Sequence, residues 1–187
     1  MARKKQYIEK EVIEKAMQLF WINGYENTSV QMLENGMGIN KFSIYASFGS
    51  KYGVFLESLK SYQEIIKEVF ENLKNAKNGV ADIQKFFCDS VQICTLEGNQ
   101  KGCLITNTYY EFFDKNDDLV PQQMRKYMGD LKLLFIEKLK MDATKSEETV
   151  LRQANFLLLA KHGLAAATRV NNKEEINDYI EMTFTNL

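Results

Sequence analysis

Lys41, Ser43, Tyr45 and Ser47 fall within one short stretch, NKFSIYASFGSK at 40–51, and together offer one ammonium and three hydroxyls. Donors of this kind suit phosphate oxygens and the polar edges of bases. In the same stretch Ile44 and Phe48 stand four residues apart, the spacing of a helix face held against its own core. Gly49 ends that helix and Ser50 caps the next. Lys51 lies beside the new N-terminus, where amides and a cation can together hold a phosphate. In isolation the same residues also describe a solvated helix face with an incidental tyrosine.

Other chemistry has less to work with. His162 is the single histidine and sits in an apolar segment beside Gly163, which reads as a structural histidine satisfied by a backbone or hydroxyl partner. With Cys88, Cys94 and Cys103 it makes no metal-ligand spacing, so no metal and no cofactor are expected. A cysteine-dependent enzyme would need a base near Cys103, and no such motif surrounds either residue, so no catalytic residue is assigned. Cys103 itself, in KGCLITNTYYEF, stands at an expected helix start, a position at which the dipole favours a thiolate. The alternative is a small buried hydrophobe.

Composition bounds the class. The 187 residues are 45% hydrophobic and 26% charged, which excludes a disordered chain, and no apolar run is long enough to cross a bilayer. The basic start, MARKKQYIEKEV, lacks the apolar stretch of a secretory signal. A soluble cytoplasmic protein with three thiols and no disulfide is expected. The net charge of −1 divides unevenly, with +2 over residues 1–51 and −3 over the rest.

One proline, Pro121, and helical periodicity along most of the chain predict an all-α fold of about nine helices. Phe55, Leu59, Tyr62, Ile66, Val69 and Leu73 make a narrow apolar stripe on a helix predicted over 51–76, roughly 39 Å long. A loop is predicted at 97–102, and a helix from Cys103 is predicted to end near 115–118. Ser146 and Glu147 open a helix whose middle is apolar on most sides, and Ile176, Ile180, Phe184 and Leu187 mark a last amphipathic one.

The first 50 residues divide into three short helices. Val12, Ala16, Leu19 and Phe20 give the first an inner face, and Asn23 and Gly24 stop it. Thr28 and Ser29 start the second. Gly38 can take the positive φ of a sharp turn, and Asn40 caps the third helix. Two short helices joined by a glycine turn form a helix-turn-helix, whose second member enters the DNA major groove. The expected division is a DNA-binding domain at 1–50 and a helical domain at 51–187.

The ordering of AMQLFWINGYENTSV, GMGINKFSIYASFGSK and a long helix resembles the TetR family of bacterial transcriptional regulators. Ala16, Leu19, Phe20, Gly24, Tyr25, Thr28, Ser29, Gly38, Tyr45, Phe48 and Lys51 carry the likeness, which is specific over residues 8–56. Glu34 departs from the small residue usual there and is expected to turn outward. Gly36 is unusual inside the second helix, where glycine costs up to about 1 kcal/mol relative to alanine.

The resemblance implies roles. Ser29, Tyr45, Ser47 and Lys51 would bond phosphates, and Gln31, Lys41, Phe42 and Ser43 would face base edges, although packing is the preferred reading of Phe42. A basic arm, Arg3, Lys4 and Lys5, would reach a neighbouring groove or serve as a solubilising tail. The second domain would hold a small lipophilic or aromatic effector. Its contacts would come from Phe86, Phe87, Cys103, Asn107, Tyr109, Tyr110, Phe113, Tyr127, Phe135 and Phe156. The segments 147–169 and 174–187 would form a homodimer interface. The implied function is a repressor that binds palindromic double-stranded operator DNA as a homodimer, has no membrane partner, and is released by its effector. The alternatives are a regulator that senses electrophiles or oxidants by cysteine, and a helical protein-binding adaptor.

Overall fold

Ser29, Asn40, Ser146 and Asn172 each turn a side-chain oxygen onto the backbone amide three residues ahead, and each starts a helix. The computed structural model describes residues 7–95, 101–113, 119–185 and 187. Its helices are α1 (Glu9–Asn27), α2 (Val30–Met37), α3 (Lys41–Phe48), α4 (Lys51–Asn75), α5 (Val80–Cys94), α6 (Leu104–Phe112), α7 (Leu119–Leu139), α8 (Glu147–Ala167) and α9 (Lys173–Phe184). No strand occurs among the described residues, as an all-α fold requires. The basic arm at 3–5, most of the expected loop at 97–102 and the expected helix end at 115–118 lie outside the described residues.

The chain divides into two compact units, Met1–Ile65 and Ile66–Leu187. The division falls within α4 rather than at its start, where the sequence placed it. The reason is the first four turns of α4: Val54, Phe55, Leu59 and Tyr62 are buried in the first unit. Phe55 meets Phe20 edge-on at 5.0 Å and Tyr62 meets Trp21 edge-on at 4.9 Å, so these aromatics complete the core of the three short helices. Val12, Ala16, Leu33, Met37 and Ile44 fill the rest. Gly24, at φ 78°, breaks α1 as expected, and a short further helical stretch continues from the kink to Asn27.

Two glycines set the turns of this unit. Gly38 closes α2 in the left-handed region at φ 71°, its amide bonded to the Glu34 carbonyl. Gly53, in the first turn of α4, lies so close to the carbonyl of Phe48 that a Cβ would stand 1.8 Å from that oxygen. Only a residue without a side chain lets α3 and α4 meet at this distance.

In the second unit, Leu73, Ile83, Phe87, Leu131, Phe135, Leu157 and Ile176 form one buried cluster drawn from α4, α5, α7, α8 and α9. Lys138 is 1% exposed, yet its ammonium donates to the carbonyls of Lys74, at 2.9 Å, and Ala76, at 2.7 Å. It therefore takes up acceptors left open at the end of α4. Asp82 accepts from the Asn78 amide at 2.6 Å and fixes the turn into α5.

Candidate functional site

Helix α3 is anchored on one side and open on the other. Ile44 is fully buried in the first unit, while Lys41, Phe42 and Tyr45 are exposed. Phe42 is 82% exposed, which overturns the packing reading: its ring is presented outward from the first turn of the helix. The Lys41 ammonium stands 5.5 Å from the Tyr45 ring centroid, so cation and aromatic lie side by side on the open face.

Three contacts fix this helix. Asn40 accepts from the Ser43 amide at 2.8 Å. Glu34 does not simply point to solvent: its carboxylate accepts the backbone amide of Lys41, a stabilising place for an acid at a helix N-terminus. Tyr7, ahead of α1, brings its hydroxyl to 2.6 Å from Ser47 Oγ and also donates to the Ser43 carbonyl at 3.4 Å. Two opening amides of α3 are thus satisfied within the unit, and what the helix offers outward is its side chains. Neither Glu34 nor Tyr7 was assigned a site role from sequence. Both act across elements, and no local pattern marks them.

The remaining expected contacts spread around this face. Ser29 caps α2 by accepting from the Met32 amide at 3.1 Å, and Gln31 is exposed on α2, donating to Asn35 at 3.2 Å. Ser43 and Ser47 are half-buried. Lys51, at the start of α4, donates to the Glu26 carbonyl at 3.3 Å, with its ammonium 4.3 Å from the Tyr25 ring centroid. Ser50 caps α4 by accepting from Gly53.

In the second unit the expected ligand residues separate into groups. Phe87 and Phe135 are core, 6.2 Å apart, with Phe87 edge-on to Phe184. Phe156 is half exposed on α8 and lines a groove of about 450 Å³ with Arg152, Met182 and Leu187, away from the other aromatics. Tyr109, Tyr110 and Phe113 cluster on α6 and its end, and Tyr109 faces His162 at 6.2 Å. His162 Nε2 lies 2.8 Å from the sulfur of Met128, so its partner is a thioether rather than the backbone or hydroxyl expected. Burial, and secondarily the Lys161 ammonium, hold its imidazole below the ordinary value. Asn107 donates to the Lys101 carbonyl at 3.1 Å and ties down the entry to α6.

Phe70 joins Phe86 edge-on at 5.2 Å and Tyr127 at 5.0 Å, and the Lys161 ammonium stands 6.0 Å from the Phe86 ring. Cys94 and Cys103 are both buried close by. Burial pushes the Cys94 thiol up to about 12, the neighbouring Cys103 adds to this, and Lys161 and a bond from Thr168 oppose it. Burial likewise raises the Tyr127 hydroxyl well above its usual value, with Cys103 and Cys94 contributing. Sequence reasoning missed Phe70 and Lys161. The signal for the second was a lysine placed inside the apolar run FLLLAKHG.

Two short helices crossing at a glycine turn, the second anchored by one residue and open on its other face, define a helix-turn-helix unit of the DNA-binding class. Residues 12–58 match the family model described as bacterial regulatory proteins, tetR family. Over these residues the chain is similar to that family. It is 31% identical over 123 residues to the HTH-type transcriptional regulator YezE of Bacillus subtilis, covering 64% of this chain and 62% of that protein. It is 29% identical over 110 residues to the HTH-type transcriptional repressor ComR of Escherichia coli, covering 56% and 51%. The match thus spans less than two thirds of the length of either relative. A cysteine mutant of the TetR family transcriptional regulator CifR, solved with a 26-base-pair double-strand operator DNA, shares the fold with a TM-score of 0.85 over 99% of both chains at 22% identity.

Proposed function

We propose that this chain is a ligand-responsive repressor that binds palindromic operator DNA as a homodimer and is released by a small lipophilic effector. The observation that carries the DNA-binding part is the open face of α3: Lys41, Phe42 and Tyr45 stand outward over a fully buried Ile44. Such a helix can lie in a major groove with bases on one side and its own domain on the other. One helix of eight residues reads few base pairs, so useful specificity needs a second copy. The apolar residues left exposed on α8 and α9, Leu151, Phe156, Leu159 and Met182, support the pairing of those helices between copies. CifR, which shares the fold, was solved on operator DNA, and ComR is a repressor by name, which favours repression here. The aromatic groups of the second unit support an apolar effector site. Because α4 contributes to both units, a change at one end has a direct route to the other.

The test is selection of binding sites from a pool of random duplexes by the full chain, followed by mobility shift and ultracentrifugation. The expected result is a two-fold symmetric site, half-sites about 34 Å apart or a multiple of it, bound by a dimer. Recovery of no enriched sequence, or a monomer at micromolar concentration, sinks this reading.

A thiol switch is the second reading, favoured by the place of Cys103 at the N-cap of α6. Against it, Cys103 is only 6% exposed.

A further inference from the structure

Phe42 is 82% exposed in the first turn of α3. A lone exposed aromatic is ordinary on a protein surface, but the place of this one is not. Ile44 is fully buried and holds one side of the helix to its unit. At about 100° per residue, Phe42 lies about 160° round the helix axis from Ile44 and points almost directly away from the core. Ala46, one turn further on, is exposed along the same strip. Lys41 and Tyr45 stand to one side of it, the ammonium 5.5 Å from the Tyr45 ring centroid. The outermost strip of α3 is therefore apolar, and its charge and hydroxyls flank it.

That order is the reverse of a solvated helix, in which the polar residues face water. The base edges in the major groove carry one apolar substituent, the 5-methyl of thymine, among groups that donate or accept hydrogen bonds. A helix lying in that groove meets base edges with its first residues, and Phe42 is the second residue of α3. The start of the helix is held before any DNA arrives. Asn40 accepts from the Ser43 amide at 2.8 Å, and the Glu34 carboxylate accepts the Lys41 amide, so the ring is carried on a fixed backbone.

We infer that Phe42 reads the 5-methyl group of a thymine in each half-site of the operator. Ring and methyl shield one another from water, and cytosine, with a hydrogen at that carbon, forfeits the contact. The inference rests on the DNA-binding reading above and adds the base, and the group on it, that this side chain selects.

The test uses the symmetric site selected from random duplexes, with deoxyuridine placed for each thymine in turn, a change that removes the methyl and no hydrogen-bonding group. Binding of the full chain and of Phe42→Ala is measured at low salt, where phosphate contacts keep a weakened variant measurable. At one thymine per half-site, uracil is expected to weaken the natural chain about fourfold, and about fifteenfold when both half-sites are changed, the worth of one buried methyl each. In Phe42→Ala the same replacement should cost less than about twofold, while Phe42→Leu, still apolar, should keep most of the effect. Because the ring is exposed, Phe42→Ala should melt within about 2 °C of the natural chain, which separates loss of the contact from loss of fold. A selected site with no thymine common to its half-sites, no thymine at which uracil matters, or a uracil penalty unchanged in Phe42→Ala overturns the role of Phe42 and leaves DNA binding standing. Recovery of no enriched site overturns both.

Discussion

The Tyr7 hydroxyl lies 2.6 Å from Ser47 Oγ, joining the residue ahead of α1 to the last turn of α3. Ser47 therefore has a partner inside its own unit before any phosphate arrives. Tyr7→Phe and Ser47→Ala should each cost about 1 kcal/mol of stability, and the double variant should cost little more than Tyr7→Phe, because that change already removes the bond to Ser47. Denaturant unfolding measures this. A Ser47→Ala loss confined to DNA affinity would instead assign the hydroxyl to a phosphate.

Positioning and reading should separate by mutation. Lys51→Ala and Tyr45→Phe should weaken binding to all duplexes alike, the lysine change also lowering the salt slope by roughly one unit. Lys41→Ala and Gln31→Ala should alter the ranking of operator variants. Binding isotherms at several salt concentrations on two or more operator variants decide it. A Lys51→Ala variant with an intact salt slope and a changed sequence preference would reverse the assignment.

Gly53→Ala should be the most damaging small change in the first unit. The added Cβ would stand 1.8 Å from the Phe48 carbonyl, which is backbone and has no rotamer to move into. A cost of about 3 kcal/mol is expected, with DNA binding lost because α3 shifts against α4. By contrast, a Cβ at Gly36 would meet the movable end of Leu19 at 2.7 Å, so Gly36→Ala should leave the melting temperature nearly unchanged.

His162 predicts an acid-side loss of stability. Burial holds its imidazole below the ordinary 6.5, so the unfolded chain binds its proton more readily than the folded one. Its contribution is therefore complete above 6.5 and is lost as pH falls from there towards the depressed folded value. Melting temperature followed from about pH 7.5 to pH 5 should fall less steeply for His162→Gln than for the natural chain. Parallel curves for the two proteins would rule the group out as a contributor.

Much of this protein was legible in its sequence wherever the controlling interaction spans three or four residues. Asn40 and Ser146 cap helices as read, Gly38 takes the positive φ its turn needs, and the stripe Phe55, Leu59, Tyr62, Ile66 and Leu73 is buried as its spacing required. Backbone hydrogen bonding and helical period are local, so the residues that determine them are neighbours in the chain. Side-chain destination is not local. The tie of Tyr7 to Ser47 crosses 40 positions, and that of Lys138 to Lys74 crosses 64. The outward ring of Phe42, the removal of Phe156 from the other aromatics, the reach of the first unit into α4 and the burial of Lys161 were all decided by which helix faces meet. An apolar residue at helical spacing is bound to find cover, or to be left exposed, only once its neighbours from distant segments are in place.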